Sequence, residues 1–103
     1  MNEIVFQILL GLREEARDAE GILEAIRLVG GKKAEPALAS FYRGLKKAAD
    51  AGYVTILARG PGESRGRPRQ RYRITREGRA ALRIEARRLG RLASLALSGS
   101  KPT

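Results

Sequence analysis

Apolar residues recur along this chain at two spacings, one typical of helices and the other typical of strands. Segments with helical spacing predict four helices, over residues 1–14, 18–29, 37–51 and 76–97. Between the third and fourth helices, two short runs that are rich in β-branched and aromatic residues predict the strands of a hairpin over residues 53–74. Residues 98–103 show no periodicity, and we expect a disordered tail there.

Capping residues mark the predicted helix ends. Asn2, Asp18 and Thr75 are good N-caps, because each side chain has an oxygen that can accept a hydrogen bond from an unpaired N–H of the first helical turn. The pair Gly30-Gly31 is typical of a helix C-terminus.

The first and last helices differ from the others in how their apolar residues are distributed. The first is apolar on nearly all sides, so it is either a central core helix or a helix that a second subunit covers in part. The last is long and has a narrow stripe near heptad spacing, so it either lies along its own domain or pairs with a copy of itself. If the two helices do form an interface with a second copy, its candidate residues are Ile4, Ile8, Leu82, Leu89, Leu92, Ala93 and Ala96.

The predicted elements follow the order helix, helix, helix, strand, loop, strand, long helix, with a polar connection at residues 14–17 and a loop at residues 32–35. This order is the plan of a winged helix-turn-helix, a mainly α fold with a small β-hairpin. In that plan the third helix enters the DNA major groove and the hairpin forms the wing. In the second strand, Tyr72 and Ile74 are predicted to face the core, with the arginines outside. We expect a single DNA-binding domain over residues 1–97.

Charge is unevenly distributed along the chain. The 103 residues carry a formal net charge of +10. Residues 1–31 have six acidic and three basic side chains, whereas residues 32–103 have 18 basic and five acidic ones. Such an imbalance is typical of nucleic-acid binding. A general preference for arginine, which outnumbers lysine 16 to 5, is the alternative explanation.

The composition excludes several classes of function. The chain has no Cys and no His, which excludes a disulfide scaffold, the usual zinc, copper and haem sites, and nucleophiles activated by histidine. We therefore expect no catalytic residue, no metal and no cofactor. The most apolar stretch, residues 4–12, is shorter than the roughly 20 apolar residues of a membrane-spanning helix. We expect a cytoplasmic protein without a membrane partner.

Two stretches, residues 40–54 and 66–79, have patterns that occur together in one family. The first begins Ser-Phe-Tyr-Arg-Gly-Leu and continues with leucine-spaced turns to Gly-Tyr-Val at the start of a strand. The second has Gly-Arg-Pro before a strand and Tyr-Arg-Ile-Thr-Arg-Glu-Gly-Arg at the start of the last helix. Together with Ile8-Leu9-Leu10, they resemble, over residues 4–97, the PadR-like family of winged helix-turn-helix transcriptional regulators.

The resemblance implies a DNA-binding repressor that acts as a homodimer and is sometimes relieved by a small aromatic ligand; the sequence does not identify any such inducer. Three features depart from the family pattern. Asp18-Ala19-Glu20 stands where the family often has His-Gly-Tyr, which puts the usual contacts of the second helix in doubt, and Ala49 stands where leucine is usual. The single C-terminal helix resembles the short branch of the family, which leaves the first and last helices as the dimer surface.

The expected DNA contacts lie on the third helix, the turn before it and the hairpin. Arg43 can pair bidentately with guanine, whereas Lys46 and Lys47 are expected to hold phosphates. Tyr42 is either a phosphate contact or a structural residue, and the two lysines before the helix either touch the DNA backbone or are solvated. The hairpin run Arg-Gly-Arg-Pro-Arg is expected to contact the minor groove or phosphates, with an AT-hook or a solvated turn as alternatives. The full predicted set is Lys32, Lys33, Ser40, Tyr42, Arg43, Lys46, Lys47, Arg65, Arg67, Arg69 and Arg71.

Other partners match part of this pattern. An RNA-binding module would share the charge, but three Tyr and two Phe are few residues for a stacking platform. Binding of the last helix to a membrane surface is disfavoured by its narrow apolar face and the lack of Trp. A nonspecific, chromatin-like DNA-binding protein shares every electrostatic feature, so only sequence selectivity separates it from a regulator.

Overall fold

The computed structural model describes residues 1–57 and 70–99 of the chain. In this part, helices predominate and pack with a small antiparallel sheet, which confirms the predicted mainly α fold. The helices are α1 (Glu3–Gly11), α2 (Ala19–Gly30), α3 (Leu38–Asp50) and α4 (Arg76–Leu97). The strands are β1 (Arg17–Asp18), β2 (Val54–Leu57) and β3 (Arg71–Ile74), and a 3-10 turn occupies Lys32–Ala34.

α1 is shorter at both ends than the predicted range 1–14. It begins after Asn2, whose side-chain oxygen caps the helix by accepting a hydrogen bond from the Ile4 N–H at 2.7 Å. It ends at Gly11, just before Arg13, whose guanidinium donates to the Leu10 carbonyl at 2.8 Å. The prediction ran too far because the polar residues that follow the helix are also good helix formers.

The other helices lie close to their predicted ranges. Asp18 precedes α2 instead of beginning it, because its backbone is extended and its carboxylate accepts a hydrogen bond from the Gly21 N–H. Ala37 and Ala51 flank α3 as cap residues and are not part of it. α4 has the predicted bounds, and Thr75 is its N-cap as expected.

The sheet contains a strand that the sequence pattern did not predict. β1 pairs antiparallel with β3, Arg17 opposite Tyr72, in the segment expected to be only a polar connection. β2 pairs with the other side of β3, Val54 opposite Ile74, so the strand order is β1-β3-β2. Two residues are too few to show an alternating pattern, which is why β1 was missed.

The core lies between α1, α2, α3 and the inner face of the sheet. On β3, Tyr72 and Ile74 are buried and the two arginines are exposed, as predicted. Apart from one phenylalanine, the fully buried side chains are aliphatic. The largest of them are Ile8, Leu9, Leu12, Ile22 and Phe41. α1 is therefore the central core helix, one of the two alternatives that its sequence allowed.

α4 is attached to the core through its first turn. The Thr75 hydroxyl donates a hydrogen bond to the Gly52 carbonyl at 2.6 Å. The backbone N–H of Thr75 donates to the Tyr53 carbonyl at 2.9 Å. A Cβ on Gly78 would overlap the same Tyr53 carbonyl, so only glycine fits at this contact. This geometry explains the Thr-x-x-Gly pattern at the start of the helix.

The C-terminal half of α4 extends away from the core. All its side chains from residue 86 to residue 97 are exposed, and the principal-axis extents of the molecule are 62 × 28 × 22 Å. None of the helices described combines the length and the apolar character needed to cross a membrane.

Candidate nucleic-acid interface

α3 has one buried face and one basic, solvent-exposed face. The buried face consists of Phe41, Gly44, Leu45 and Ala48. Among the residues predicted to bind DNA, Tyr42, Arg43, Lys46 and Lys47 are exposed and Ser40 is half-buried. The helix thus holds these side chains together on a rigid support whose other side is anchored in the core.

Neighbouring polar groups orient two of the basic side chains of α3. The Arg43 guanidinium donates to the Ser40 hydroxyl at 3.2 Å, one helical turn earlier. The Lys46 ammonium pairs with the Asp50 carboxylate at 2.9 Å, one turn later. Lys47 has no ion pair among residues 1–57 and 70–99. Within the described part of the chain, Arg43 and Lys47 are therefore the cations of this face without a carboxylate partner.

Tyr42 has both a structural and an exposed part. Its ring meets Phe41 edge-on, with centroids 5.2 Å apart and planes at 75°, yet 52% of its surface is exposed. The nearby Tyr72 is buried, which raises the pKa of its hydroxyl, and this hydroxyl donates to the Gln70 side-chain oxygen at 3.2 Å. Tyr42 therefore packs through its ring and still presents a surface to solvent.

The start of α2 is acidic where it approaches α3 and the sheet. A shallow pocket of about 310 Å³ is lined by Asp18, Ala19, Glu20, Tyr42, Gln70 and Tyr72. Two carboxylates, those of Asp18 and Glu20, therefore lie beside Tyr42 of α3. The departure from His-Gly-Tyr in the sequence thus changes the charge of the surface beside α3.

The remaining predicted contacts fall into two groups. Lys32 and Lys33 are exposed in the 3-10 turn before α3. Arg71 is exposed on β3, but its guanidinium also donates to the Ala16 carbonyl at 3.3 Å, which links β3 to the segment before β1. The hairpin arginines Arg65, Arg67 and Arg69 lie outside the described residues.

Several arginines that contribute to the basic excess have structural partners. Arg79 of α4 donates to the Arg13 carbonyl at 2.8 Å, and Arg17 of β1 donates to the Gly11 carbonyl at 2.9 Å. Both carbonyls lie at or just after the end of α1, where main-chain acceptors have no helical partner. Charge counting does not reveal such structural roles.

The turn that leads into α3 is held from two sides, which the sequence did not predict. Arg27, in the last turn of α2, contacts both carboxylate oxygens of Glu35, at 3.1 and 3.4 Å. The hydrogen bond from Arg27 lowers the pKa of the Glu35 carboxyl. From the other side, the Gln7 amide of α1 donates to the Ala34 carbonyl at 3.3 Å. The Arg27–Glu35 pair spans eight residues and a turn, so no helical spacing indicated it.

The predicted dimer residues require one correction. Ile8 has no exposed surface and packs inside the core, so it cannot contact a second subunit. Ile4 is half-buried and packs against Gly44 of α3. Leu82 is half-buried, and Leu89, Leu92, Ala93 and Ala96 are exposed on α4, together with Ile84 and Leu95, which were not predicted.

A groove runs between α1, α2 and α4 next to this stripe. It has a volume of about 500 Å³, and its apolar lining includes Phe6, Leu10, Val29 and Leu89. Glu85 is buried at one side of the groove, where it pairs with Arg88 at 2.7 Å and with the Met1 amino group at 3.7 Å. The hydrogen bond from Arg88 lowers the pKa of the Glu85 carboxyl, against the opposing effect of its burial.

The described residues contain no cluster of three or more Asp, Glu, His or Cys that could hold a metal ion. The groups gathered on α3 are hydrogen-bond donors and cations, with one paired carboxylate. Such a set can bind an anionic polymer.

Several solved structures that superimpose on this chain are named as transcriptional regulators, although their sequences are distant. Sequence comparison matches the chain to no family model and to no curated protein. A transcriptional regulator from Clostridium thermocellum superimposes with a TM-score of 0.78 at 19% identity, over 95% of this chain and 90% of that one. A PadR family transcription regulator from Clostridium difficile superimposes with a TM-score of 0.77 at 18% identity, over 91% of this chain and 94% of that one. Bacillus subtilis PadR, solved in complex with operator DNA, gives 0.70 at 21% identity, over 82% of this chain and 47% of that one.

The arrangement of three core helices, a small sheet and a projecting last helix defines a winged-helix protein. More particularly, it is the PadR-like winged-helix fold, as the resemblance in sequence implied.

Proposed function

We propose that this chain is a sequence-specific, duplex-DNA-binding transcriptional regulator, acting as a homodimeric repressor. The observation that carries the proposal is the basic face of α3, where Arg43 and Lys47 are exposed on a helix anchored by Phe41 and Leu45. The same fold in Bacillus subtilis PadR has been solved with operator DNA, which supports the choice of partner. The protein acts by binding, without a catalytic step.

Each residue of the basic face has an expected role. Arg43 reads guanine in the major groove, because its planar guanidinium matches the two acceptors at that base edge. Lys47, which has no carboxylate partner in the described ranges 1–57 and 70–99, holds a phosphate, and Lys46 does so after leaving Asp50. The Tyr42 hydroxyl reaches a phosphate while its ring stays packed on Phe41.

The loop between β2 and β3 supplies the second set of contacts in this proposal. Its sequence places Arg65, Arg67 and Arg69 around a glycine and a proline. Arginine side chains of this kind follow the negative potential of a narrow minor groove or bind the phosphates beside it. Arg71 at the base of the loop contributes positive charge from β3.

The dimer forms, in this proposal, through α4. Leu89 belongs both to the exposed stripe and to the lining of the groove, so the two apolar surfaces are continuous. We propose that α4 of a second copy packs along this stripe and into the groove. In a dimer with two-fold symmetry, the recognition helices must then lie about 34 Å apart to enter successive major grooves on one side of the DNA.

Selection from a random duplex library, with purified protein at near-physiological salt, tests the proposal. An enriched palindrome with half-sites about one helical turn apart is the expected result, and it gives the operator directly. Uniform recovery of all duplexes, with affinity that falls steeply with salt, would instead identify a nonspecific, chromatin-like DNA-binding protein.

A further inference from the structure

The turn between α2 and α3 determines where the recognition helix starts. Gly31 leaves α2 with a positive φ of 80°, and the chain then makes a single 3-10 turn before Ala37 caps α3. The N-cap position of α3 has no side-chain hydrogen bond. The first turn of the recognition helix is therefore held by the preceding segment and by the buried Phe41 side chain, and not by a side-chain cap.

Glu35 connects that segment to α2. Its carboxylate lies one residue before Pro36 and faces the Arg27 guanidinium with two contacts, at 3.1 and 3.4 Å. Arg27 has a second acidic neighbour, Glu24, at the longer distance of 3.8 Å. Glu24 lies within α2, so its contact with Arg27 ties α2 only to itself, whereas the contact with Glu35 ties α2 to the start of α3.

The same turn is also tied to α1. Gln7 donates to the Ala34 carbonyl, and both residues line the groove between α1, α2 and α4. Ala34 also packs closely against Gly30. A Cβ added to Gly30 would lie only 2.5 Å from the Cβ of Ala34. The turn is thus fixed from α1 by Gln7 and from α2 by Arg27.

We propose that Glu35, through its paired contact with Arg27, is a positioning residue that sets the start of the recognition helix and so determines sequence selectivity without touching DNA. The inference rests on the proposed function. The effect on selectivity follows because a bidentate contact between arginine and guanine tolerates little displacement. When the first turn of α3 is loosened, the Arg43 guanidinium takes several orientations relative to the base.

Charge and positioning predict opposite effects for this residue, which makes the role testable. Removing a carboxylate from a DNA-binding surface strengthens binding to every duplex by simple electrostatics. Removing a positioning contact weakens binding to the selected operator only. The ratio of operator affinity to random-duplex affinity separates the two effects, since bulk charge cancels in that ratio.

The experiment compares Glu35→Gln with Glu24→Gln in the full chain. Both variants remove one negative charge beside Arg27, and both side chains are close in size to the original. We expect Glu35→Gln to lower the affinity ratio by about two- to fivefold, the range for a partly exposed ion pair, and Glu24→Gln to leave it unchanged. Arg27→Gln should lower the ratio as much as Glu35→Gln, and the double variant should be no worse than either.

Hydrogen exchange provides a second readout that needs no DNA. Glu35→Gln should speed exchange of the Phe41 N–H, which donates to the Ala37 carbonyl at 2.9 Å as the first backbone hydrogen bond of α3, while Glu24→Gln should not. Faster exchange with an unchanged affinity ratio would show a merely structural contact and overturn the proposal. An unchanged exchange rate or an equal fall in the ratio for both variants would also overturn it.

The outcome for the wild type separates this inference from the function on which it rests. If the wild type selects no operator, the proposed function fails and the role of Glu35 in selectivity fails with it. If the wild type selects an operator and Glu35→Gln selects it equally well, only the positioning role is wrong.

Discussion

Two glycines of α4, Gly78 and Gly90, lie in very different surroundings. Gly78 lies against the Tyr53 carbonyl at the junction of α3, β2 and α4, where no Cβ fits. Gly90, three turns later in the same helix, has nothing within 4 Å of the position that a Cβ would take. The chain therefore contains a glycine required by close packing and a second glycine that packing does not require, on one helix.

This pair gives a direct prediction for stability. Gly78→Ala must push the first turn of α4 off the core, and we expect it to lower the free energy of unfolding by about 1–3 kcal/mol. Gly90→Ala should raise it by up to about 1 kcal/mol, because alanine is the better helix former. Urea unfolding of both variants checks this. A Gly78→Ala variant as stable as Gly90→Ala would contradict the packing described here.

Glu85 gives a prediction for pH dependence. Its pKa is lowered in the folded protein by the hydrogen bond from Arg88, so the ionised form favours folding. That contribution is complete above the unfolded pKa of about 4.3 and is lost as the pH falls through the lower folded value. Glu85→Gln lacks it. The stability difference between wild type and variant should therefore shrink from about pH 7 to about pH 3 in urea unfolding; a constant difference would refute the pairing.

Among the elements, the helices and the two strands of the hairpin were predictable from sequence, and the two-residue strand β1 was not. α3 and α4 repeat their apolar spacing often enough to be recognised, and Thr75 marks the start of α4. β1 has two residues and no pattern, because pairing with β3 alone makes it a strand. The basic face of α3 was likewise readable, whereas the pair Arg27–Glu35 depends on how the turn folds back.

The exposure of α3 side chains predicts separate effects for two of them. Arg43→Ala should remove a base contact worth about 1–3 kcal/mol of discrimination and so relax the sequence preference. Lys47→Ala should weaken binding to operator and random duplex alike and reduce the salt dependence by about one phosphate contact. Titration of both duplexes at several salt concentrations measures this. An equal loss on both duplexes for Arg43→Ala would contradict its reading role.

At the scale of the whole molecule, no other element among the described residues covers the outer part of α4. Leu92, Leu95 and Leu97 are 49%, 67% and 85% exposed, on the part of α4 that projects beyond the core. The apolar stripe was visible in the sequence. That Ile8 is not part of the interface could not be read there, because burial depends on how α1 packs between α2 and α3.

The exposed stripe predicts how the oligomeric state responds to substitution. The wild type should sediment as a dimer at micromolar concentration. Leu92→Glu places a charge on the stripe and should yield a monomer, because an unpaired buried carboxylate is costly. Ser94→Glu adds the same charge away from the predicted stripe and should leave the dimer intact. A monomeric wild type, or equal dissociation of both variants, would refute the proposed interface.

The short strand β1 also has a consequence for the order in which the protein folds. Arg71 reaches the Ala16 carbonyl across 55 residues, and Arg79 reaches the Arg13 carbonyl across 66. During synthesis on a ribosome, α1 and α2 therefore emerge long before β3 and Arg79, which contact the segment that follows α1. Closing such long loops is slow, since chain entropy is lost before any contact compensates for it. We infer that the N-terminal helices reach their native packing only after the start of α4 has been translated, so this small domain folds late and as a unit.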